Sequence, residues 1–430
     1  MLQQIIRETD ANRIARRGKL FIVASGGLSA AFSVIILIVA ARSLSLEETG
    51  VLTIALAIAK LLLNIGKYGM RNYQVTDTHE VYFSEWLVSR IITTVGMMLA
   101  AVLYCVINGY SQYKARIILL ICLLYAGECI EDVYTGFYQK EGRLDVSSYI
   151  QTARYVVLYL VFGVGLLISH DLLITCAISA VMTVLLVYVY SVRTIKYFPH
   201  RRMVPRKSVV AQLMVDCLPL CLMSFILIYL SNATKYEIDK LYNSDVQAYF
   251  GFISMPIFAI GLLSGFIFQP QIVNLSQCWK KQDLLGFAKI IRRQYFCVFV
   301  MSGFCILAGW LFGIPFLSML YDVDGLAAYK GAFLLLLIGG AGTAFINLST
   351  AVLVIFRYQK VVLYGYIVTA FVLFVSIRPL IQKFGIIGGC ADTAICTCAL
   401  AIILGGICYF RFKKHFIFNY KIGKVQNFKR

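Results

Sequence analysis

An all-α integral membrane protein with twelve transmembrane helices in two six-helix lobes, both termini cytoplasmic, is the fold class this sequence predicts. Three observations predict it. The 430 residues are 60% hydrophobic and 14% charged, with a mean hydropathy of +0.79, a composition that soluble globular domains do not have. Apolar stretches of about 20 residues, the length that crosses a hydrocarbon core of about 30 Å, recur along the whole chain. Lys and Arg are concentrated in alternate connections between those stretches. The formal charge of +19, from 40 Lys and Arg against 21 Asp and Glu, would point to nucleic acid in a soluble protein. In a membrane protein it has a topological origin, and no nucleic-acid partner is expected. The 32 Gly show no period, Pro numbers seven, and the 13 Cys are scattered singly. Collagen-like, disordered and disulfide-framework classes are therefore excluded.

Residues 1–19 form a basic cytoplasmic segment. Its Leu2, Ile5, Ile6 and Ile14 stand among charges, a pattern that suits a short amphipathic helix on the inner surface; a solvated terminus is the plainer alternative. The stretch 20–41 exceeds the apolar core of a cleaved signal peptide and reads as an uncleaved first helix. Further spans are expected at 50–66, 86–108, 115–137, 148–169 and 171–192, completing an N-terminal lobe over 20–193. The linker 194–210 lies within SVRTIKYFPHRRMVPRKS, which holds six Lys or Arg and two Pro; its charge reads first as topogenic. The C-terminal lobe, 211–410, has spans at 211–232, 247–273, 293–315, 328–356, 360–378 and 386–410, and a basic tail covers 411–430. With the N-terminus inside, cytoplasmic segments carry 29 Lys and Arg and the opposite face eight, as the positive-inside rule requires. An even number of spans per half makes any repeat relation parallel. No connection is long enough for a folded domain, so the chemistry belongs among the helices.

Ionisable groups inside spans are costly and mark candidate sites. On the second span Thr53, Lys60, Asn64, Lys67 and Arg71 follow offsets of 7, 4, 3 and 4, a polar stripe on one helical face. Lys60 lies near mid-depth, where an ammonium either faces a wet cavity or pairs with an acid. Arg90 sits about one turn from the cytoplasmic end of the third span, so snorkelling accounts for it as well as substrate contact does. The fourth span carries Tyr125, Glu128, Asp132 and Thr135 on one face, with Glu131 beside them. Arg154, with Gln151, enters the fifth span at a comparable depth, so an ion pair between Arg154 and a carboxylate is expected, either for packing alone or for function. Asp216 and Asp392 lie about two turns into the seventh and twelfth spans with no evident cation at matching depth. They read as ion-coupling carboxylates for a proton or sodium gradient, or as neutral hydrogen-bonded acids near helix ends.

Pro219, Pro256, Pro270 and Pro315, with Gly339, Gly340 and Gly342, suggest broken helices, although close packing explains most membrane glycines. Thr343, Asn347, Thr350 and Arg357 form a further stripe, and Tyr125, Tyr155 and Tyr159 suit either helix packing or sugar stacking. His79, His170, His200 and His415 all fall in loops or at span ends, and no phosphate-binding loop, HExxH or CxxC is present. Neither an enzyme, a metal site nor a cofactor is indicated.

Three short motifs carry a resemblance. They are AARSLSLEETGVL at 40–52, with Arg42, Leu44, Glu47, Glu48 and Gly50; YEIDKLYNSDVQAYFGF at 236–252, with Asp239 and Lys240; and FQPQIVNLS at 268–276, with Pro270 and Ser276. With the span pattern, they resemble the polysaccharide transport branch of the multidrug/oligosaccharidyl-lipid/polysaccharide exporter superfamily, the Wzx-type flippases; Ser45 replaces the usual Gly. The resemblance implies a flippase of the bacterial inner membrane that moves undecaprenyl-pyrophosphate-linked oligosaccharide by alternating access. Polymerase and other polysaccharide-assembly proteins are the implied partners. On that reading Lys60, Arg90 and Arg154 are the expected cavity cations, with Arg42 and Lys240 near the outer mouth. Glu128, Glu131, Asp132, Asp216 and Asp392 are the ion-coupling or charge-pairing acids. A cation-coupled drug antiporter of the same superfamily is the nearest alternative, and a membrane-embedded polymerase or acyltransferase a more distant one.

Overall fold

The computed structural model describes residues 5, 6, 8, 10–76, 81–198, 204–268 and 271–427. Among them there is no strand. Leu2, His79, His200 and Pro270 lie outside the described residues. The principal helices are α1 (Ala11–Ser43), α2 (Leu46–Lys67), the short α3 (Met70–Thr76), α4 (Phe83–Ile107), α5 (Gln112–Lys140), α6 (Leu144–Ser169), α7 (Leu172–Leu186), α8 (Lys207–Leu241), α9 (Ser244–Phe268), α10 (Ile272–Lys280), α11 (Leu284–Ala308), α12 (Ile314–Tyr321), α13 (Lys330–Ile355) and α14 (Gln359–Asn427). A π-helical turn at Val187–Val192 extends α7, and another at Gly309–Gly313 joins α11 to α12. Among the described residues nine helices are long and apolar enough to cross a membrane, so the chain is a multi-pass membrane protein. The charged α5 is not one of the nine, and α14 counts once, although Gly385 (φ 66°, ψ −156°) breaks its helical path. Those dihedrals lie in a region open to glycine alone.

The chain divides into two compact units. One holds Met1–Ile228 with Tyr242–Ala248, the other Tyr229–Leu241 with Tyr249–Arg430. In the first, α2 is the most enclosed helix, packed against α4 and α5, while α1 packs on α6.

Local sequence explains where these helices begin and end. Asp10 accepts hydrogen bonds from the amides of Asn12 and Arg13, an N-cap that starts α1 about nine residues before the apolar stretch. Ile5 is buried, 3% exposed, with Tyr134, Tyr138, Ile150 and Phe198, and Arg143 donates to the Ile5 and Ile6 carbonyls at 2.6 and 3.1 Å. Ile5 and Ile6 are helical and are seated on protein. Ser45, the residue that departs from the family pattern, caps α2: its side chain accepts from the Glu48 amide at 3.2 Å while the Glu48 carboxylate accepts from the Ser45 amide at 3.2 Å, a capping box. Gly50 lets α2 meet the start of α9, because a Cβ there would stand 1.8 Å from the Ser244 carbonyl oxygen. In the linker, Arg206 Nε donates to the fully buried Glu85 at 2.6 Å, tying it to the first turn of α4.

The broken-helix expectation needs correction. Pro219 and Pro256 lie inside α8 and α9, and Pro315 lies in the first turn of α12. Gly339, Gly340 and Gly342 do not interrupt α13. Two of them let it pack closely on α14, where a Cβ at position 342 would lie 3.1 Å from the Cys398 amide nitrogen and one at position 339 would lie 3.5 Å from Ala394 Cα.

Candidate functional site

The site follows from the spacing on α2 and α5. Lys60, Asn64 and Lys67 lie along one face of α2, and Glu128, Glu131 and Asp132 occupy little more than one turn of α5. Lys67 Nζ donates to Glu128 Oε1 at 2.6 Å. Arg154, brought in by α6, donates from Nε to Glu131 Oε2 at 2.5 Å and stands 3.8 Å from Glu128, its guanidinium 4.3 Å from the Tyr155 ring centroid. Arg90 on α4 donates to Asp132 Oδ2 at 2.8 Å, and Arg71 on α3 lies 3.7 Å from Asp132 Oδ1 while donating to Gln139 at 3.1 Å. Tyr155 donates to Glu128 at 3.0 Å and shares a 2.8 Å hydrogen bond with Ser29 of α1. Lys60 donates to Ser33, also on α1, at 2.7 Å.

Four cations thus meet three carboxylates, and Lys60, bonded to Ser33 on the same face of α2, is a fifth, leaving two positive charges in excess when all are ionised. Burial is graded. Arg90 and Arg154 side chains are 0% and 2% exposed, whereas those of Lys67 and Arg71 are each 35% exposed. Coulomb attraction is stronger in such partly dehydrated surroundings than in water, so the open, cationic side of the cluster is suited to anion contact.

The expected pair between Arg154 and a carboxylate is present. Lys60 lies on the same face of α2 as Lys67. Snorkelling does not account for Arg90, whose head group is enclosed by protein and hydrogen-bonded. Arg42 is exposed in the last turn of α1, and Lys240, in the second unit, donates to Glu237 at 2.8 Å near the end of α8. Asp216 accepts from Tyr73 at 3.2 Å and Gln212 at 2.8 Å. In the second unit Asp392 accepts from Ser376 Oγ at 2.7 Å and from the Cys396 thiol at 3.7 Å. Lys67 and Arg71 continue the stripe of Lys60 beyond the expected end of the second span at residue 66, which is why the sequence does not single them out as cavity cations. The hydroxyls of Ser29 and Ser33 carried no signal. Among the described residues no group of three or more His, Cys, Asp or Glu is placed to hold a metal ion.

Comparison with known structures shows how widely this architecture is shared. The lipid II flippase MurJ in an inward closed conformation superposes with a TM-score of 0.66 at 11% identity, over 90% of this chain and 86% of that one. The Vibrio cholerae MATE transporter VcmN in its bent form gives 0.60 at 11% identity, over 95% and 99%. An inward-facing multidrug resistance MATE family transporter of the MOP superfamily gives 0.58 at 14% identity, over 92% and 95%. At these identities the likeness establishes the fold. No curated protein matches in sequence. Residues 15–274, more than half of the chain, match the family model described as "Polysaccharide biosynthesis protein", and the chain therefore belongs to that family, as a multi-pass helical membrane protein with the fold of these transporters.

Proposed function

We propose that this protein is a flippase that carries a lipid-linked oligosaccharide, joined through a pyrophosphate to undecaprenol, from the cytoplasmic to the outer leaflet of a bacterial inner membrane. The observation that carries the reading is the excess of positive charge in the cluster of Lys60, Lys67, Arg71, Arg90 and Arg154 with Glu128, Glu131 and Asp132. Both phosphates of such a diester keep an ionised oxygen at neutral pH, and an anion that sheds water while crossing needs replacement donors. Lys67 and Arg71, the more open cations, are the contact groups, with Lys60 beside them; each also meets an acid, but Arg154 and Arg90 stay beside Glu128 and Asp132 when Lys67 and Arg71 turn to the substrate. Family membership supports polysaccharide assembly as the setting, for O-antigen or another surface polymer, with polymerase and other assembly proteins as partners. Twelve spans in two six-helix lobes, cytoplasmic termini and alternating access complete the proposal. Asp216 and Asp392, which have no cation partner among the described residues, are the candidates for proton or sodium coupling. The drug-antiporter reading is weaker because Glu128, Glu131 and Asp132 are already neutralised by the chain's own cations.

The test is to delete the gene and locate the lipid-linked repeat units. Accumulation on the cytoplasmic leaflet supports the flippase. Unpolymerised units outside would indicate a polymerase instead, and an unchanged distribution would remove both readings.

A further inference from the structure

Arg90 is the most enclosed cation of the cluster, and both of its terminal nitrogens donate to protein acceptors, while its buried Nε has none. Its Nη1 donates to the carbonyl of Gly66 at 3.0 Å and to the carbonyl of Lys67, while Nη2 donates to Asp132 Oδ2 at 2.8 Å. The Thr93 hydroxyl donates to the same Gly66 carbonyl at 2.8 Å. Those carbonyls close α2, where the final turn lacks intrahelical donors and where a cation is favoured by the helix dipole. The chain then turns through Tyr68 and Gly69, both at positive φ (51° and 67°), before α3 begins. Gly66 allows the approach of α4 and α5, because a Cβ there would lie 2.4 Å from Cys129 Sγ and 2.8 Å from Met97 Sδ.

The consequence falls on Lys67. Arg90 holds its backbone, and its side chain reaches Glu128, one turn from the Asp132 that anchors Arg90 on the same face of α5. We infer that Arg90 is a positioning residue: it clamps the end of α2 to α5 and so sets where the Lys67 ammonium stands, without touching the transported anion. This rests on the proposed function only in taking Lys67 as a substrate contact. A guanidinium serves the purpose because its planar fork supplies several donors in fixed directions.

Two measurements on the purified full-length protein test it. In the first, lysines are reductively methylated with a 13C label, and the Lys67 resonance is assigned by its loss in Lys67→Arg. Arg90→Gln and Asp132→Asn are each expected to move the Lys67 resonance and leave that of Lys60 in place. If a single variant fails to fold, the pair Arg90→Gln/Asp132→Asn, which strands neither charge, decides. An unmoved Lys67 resonance, or Lys60 and Lys67 moving together as general loosening would make them, overturns the inference. In the second, vesicle translocation of a lipid-linked diphosphate is followed in a double-mutant cycle. Arg90→Gln should reduce the rate about tenfold in the native background and less than about twofold when Lys67→Gln is already present. Equal reductions in both backgrounds would show that Arg90 acts independently of Lys67. If the unmodified protein moves no lipid-linked diphosphate, the flippase reading fails and the resonance measurement alone decides the role of Arg90.

Discussion

Arg154 shows what single charges do in this interior. It is 2% exposed and bonded to Glu131, itself 2% exposed, with Glu128 3.8 Å away. A buried pair of this kind contributes little net stability over apolar side chains of the same volume, yet removing one partner strands the other and costs about 3–5 kcal/mol. Arg154→Met should therefore lower stability by about that amount, and adding Glu131→Met should restore the larger part, as read from thermal unfolding in detergent. A single variant as stable as the parent would show that the pair does not support the fold. Lys67 and Arg71 behave differently, since their side chains are each 35% exposed and the acids they meet keep Arg154 and Arg90 as second partners; a partly exposed pair whose loss strands no acid is worth about 1 kcal/mol or less. Lys67→Gln and Arg71→Gln should change stability by less than about 1 kcal/mol while slowing lipid translocation about tenfold; normal transport by both would remove them from the mechanism. The sequence made one of these contrasts legible and hid the other. Arg154 could be matched to an acid because both lie inside apolar stretches at similar depth. Lys67 and Arg71 follow the apolar run of α2, where a charge ordinarily marks a boundary. Only the left-handed turn at Tyr68 and Gly69 directs α3 back so that Arg71 meets Asp132.

At the scale of elements, the family-like segment at 40–52 reads as a helix boundary with a physical reason for each residue. Ser45 and Glu48 close the N-terminus of α2 reciprocally, and Gly50 admits the carbonyl of Ser244. Ser45→Ala should cost about 1 kcal/mol, the usual loss for an N-cap. Gly50→Ala should cost more, about 1–3 kcal/mol or above, because backbone must move to make room. Gly96→Ala on α4 is the matched control, since no heavy atom lies within 4 Å of its added Cβ. If positions 50 and 96 tolerate alanine equally in expression and thermal stability, the close approach of α2 to residue 244 does not govern folding. Helix placement was largely legible because an apolar run of membrane length leaves few alternatives. Helix continuity was less so. Gly339, Gly340 and Gly342 look like an interruption, yet within a helix a missing side chain serves close packing on α14 as readily as a break. At Gly385, with no second glycine beside it, the path does break. That break falls between the spans expected at 360–378 and 386–410, where Arg378, Pro379 and Lys383 end an apolar run, whereas the glycines of α13 lie within one.

For the whole molecule, the charge of +19 turns the span count into an experiment. Nine helices satisfy length and apolarity among the described residues. The proposed twelve are reached by adding the charged α5 and α9 and by letting Gly385 divide α14 into two passes. The parity of the count decides where the basic tail 411–430 resides, for with the N-terminus inside an even number returns the tail to the cytoplasm and an odd number exports it. Cytoplasmic retention agrees with the positive-inside rule, and basic segments at the inner surface gain about 1 kcal/mol per Lys or Arg from anionic headgroups. α5 is the least apolar contributor, but its acids face the cations of α2, α3, α4 and α6 and not lipid, which is the arrangement that makes a charged helix tolerable in a bilayer. The expected result is that epitopes at both ends of the chain are protected from protease in intact spheroplasts, with a tag at the Ser111 turn before α5 accessible from outside. An accessible C-terminal epitope would mean an odd number of passes, and the first candidate for removal would be the second pass of α14. Accessibility of the Ser111 tag only after lysis would instead place the start of α5 inside, reverse the assignment of its neighbours, and withdraw the charge cluster from the path proposed for the diphosphate.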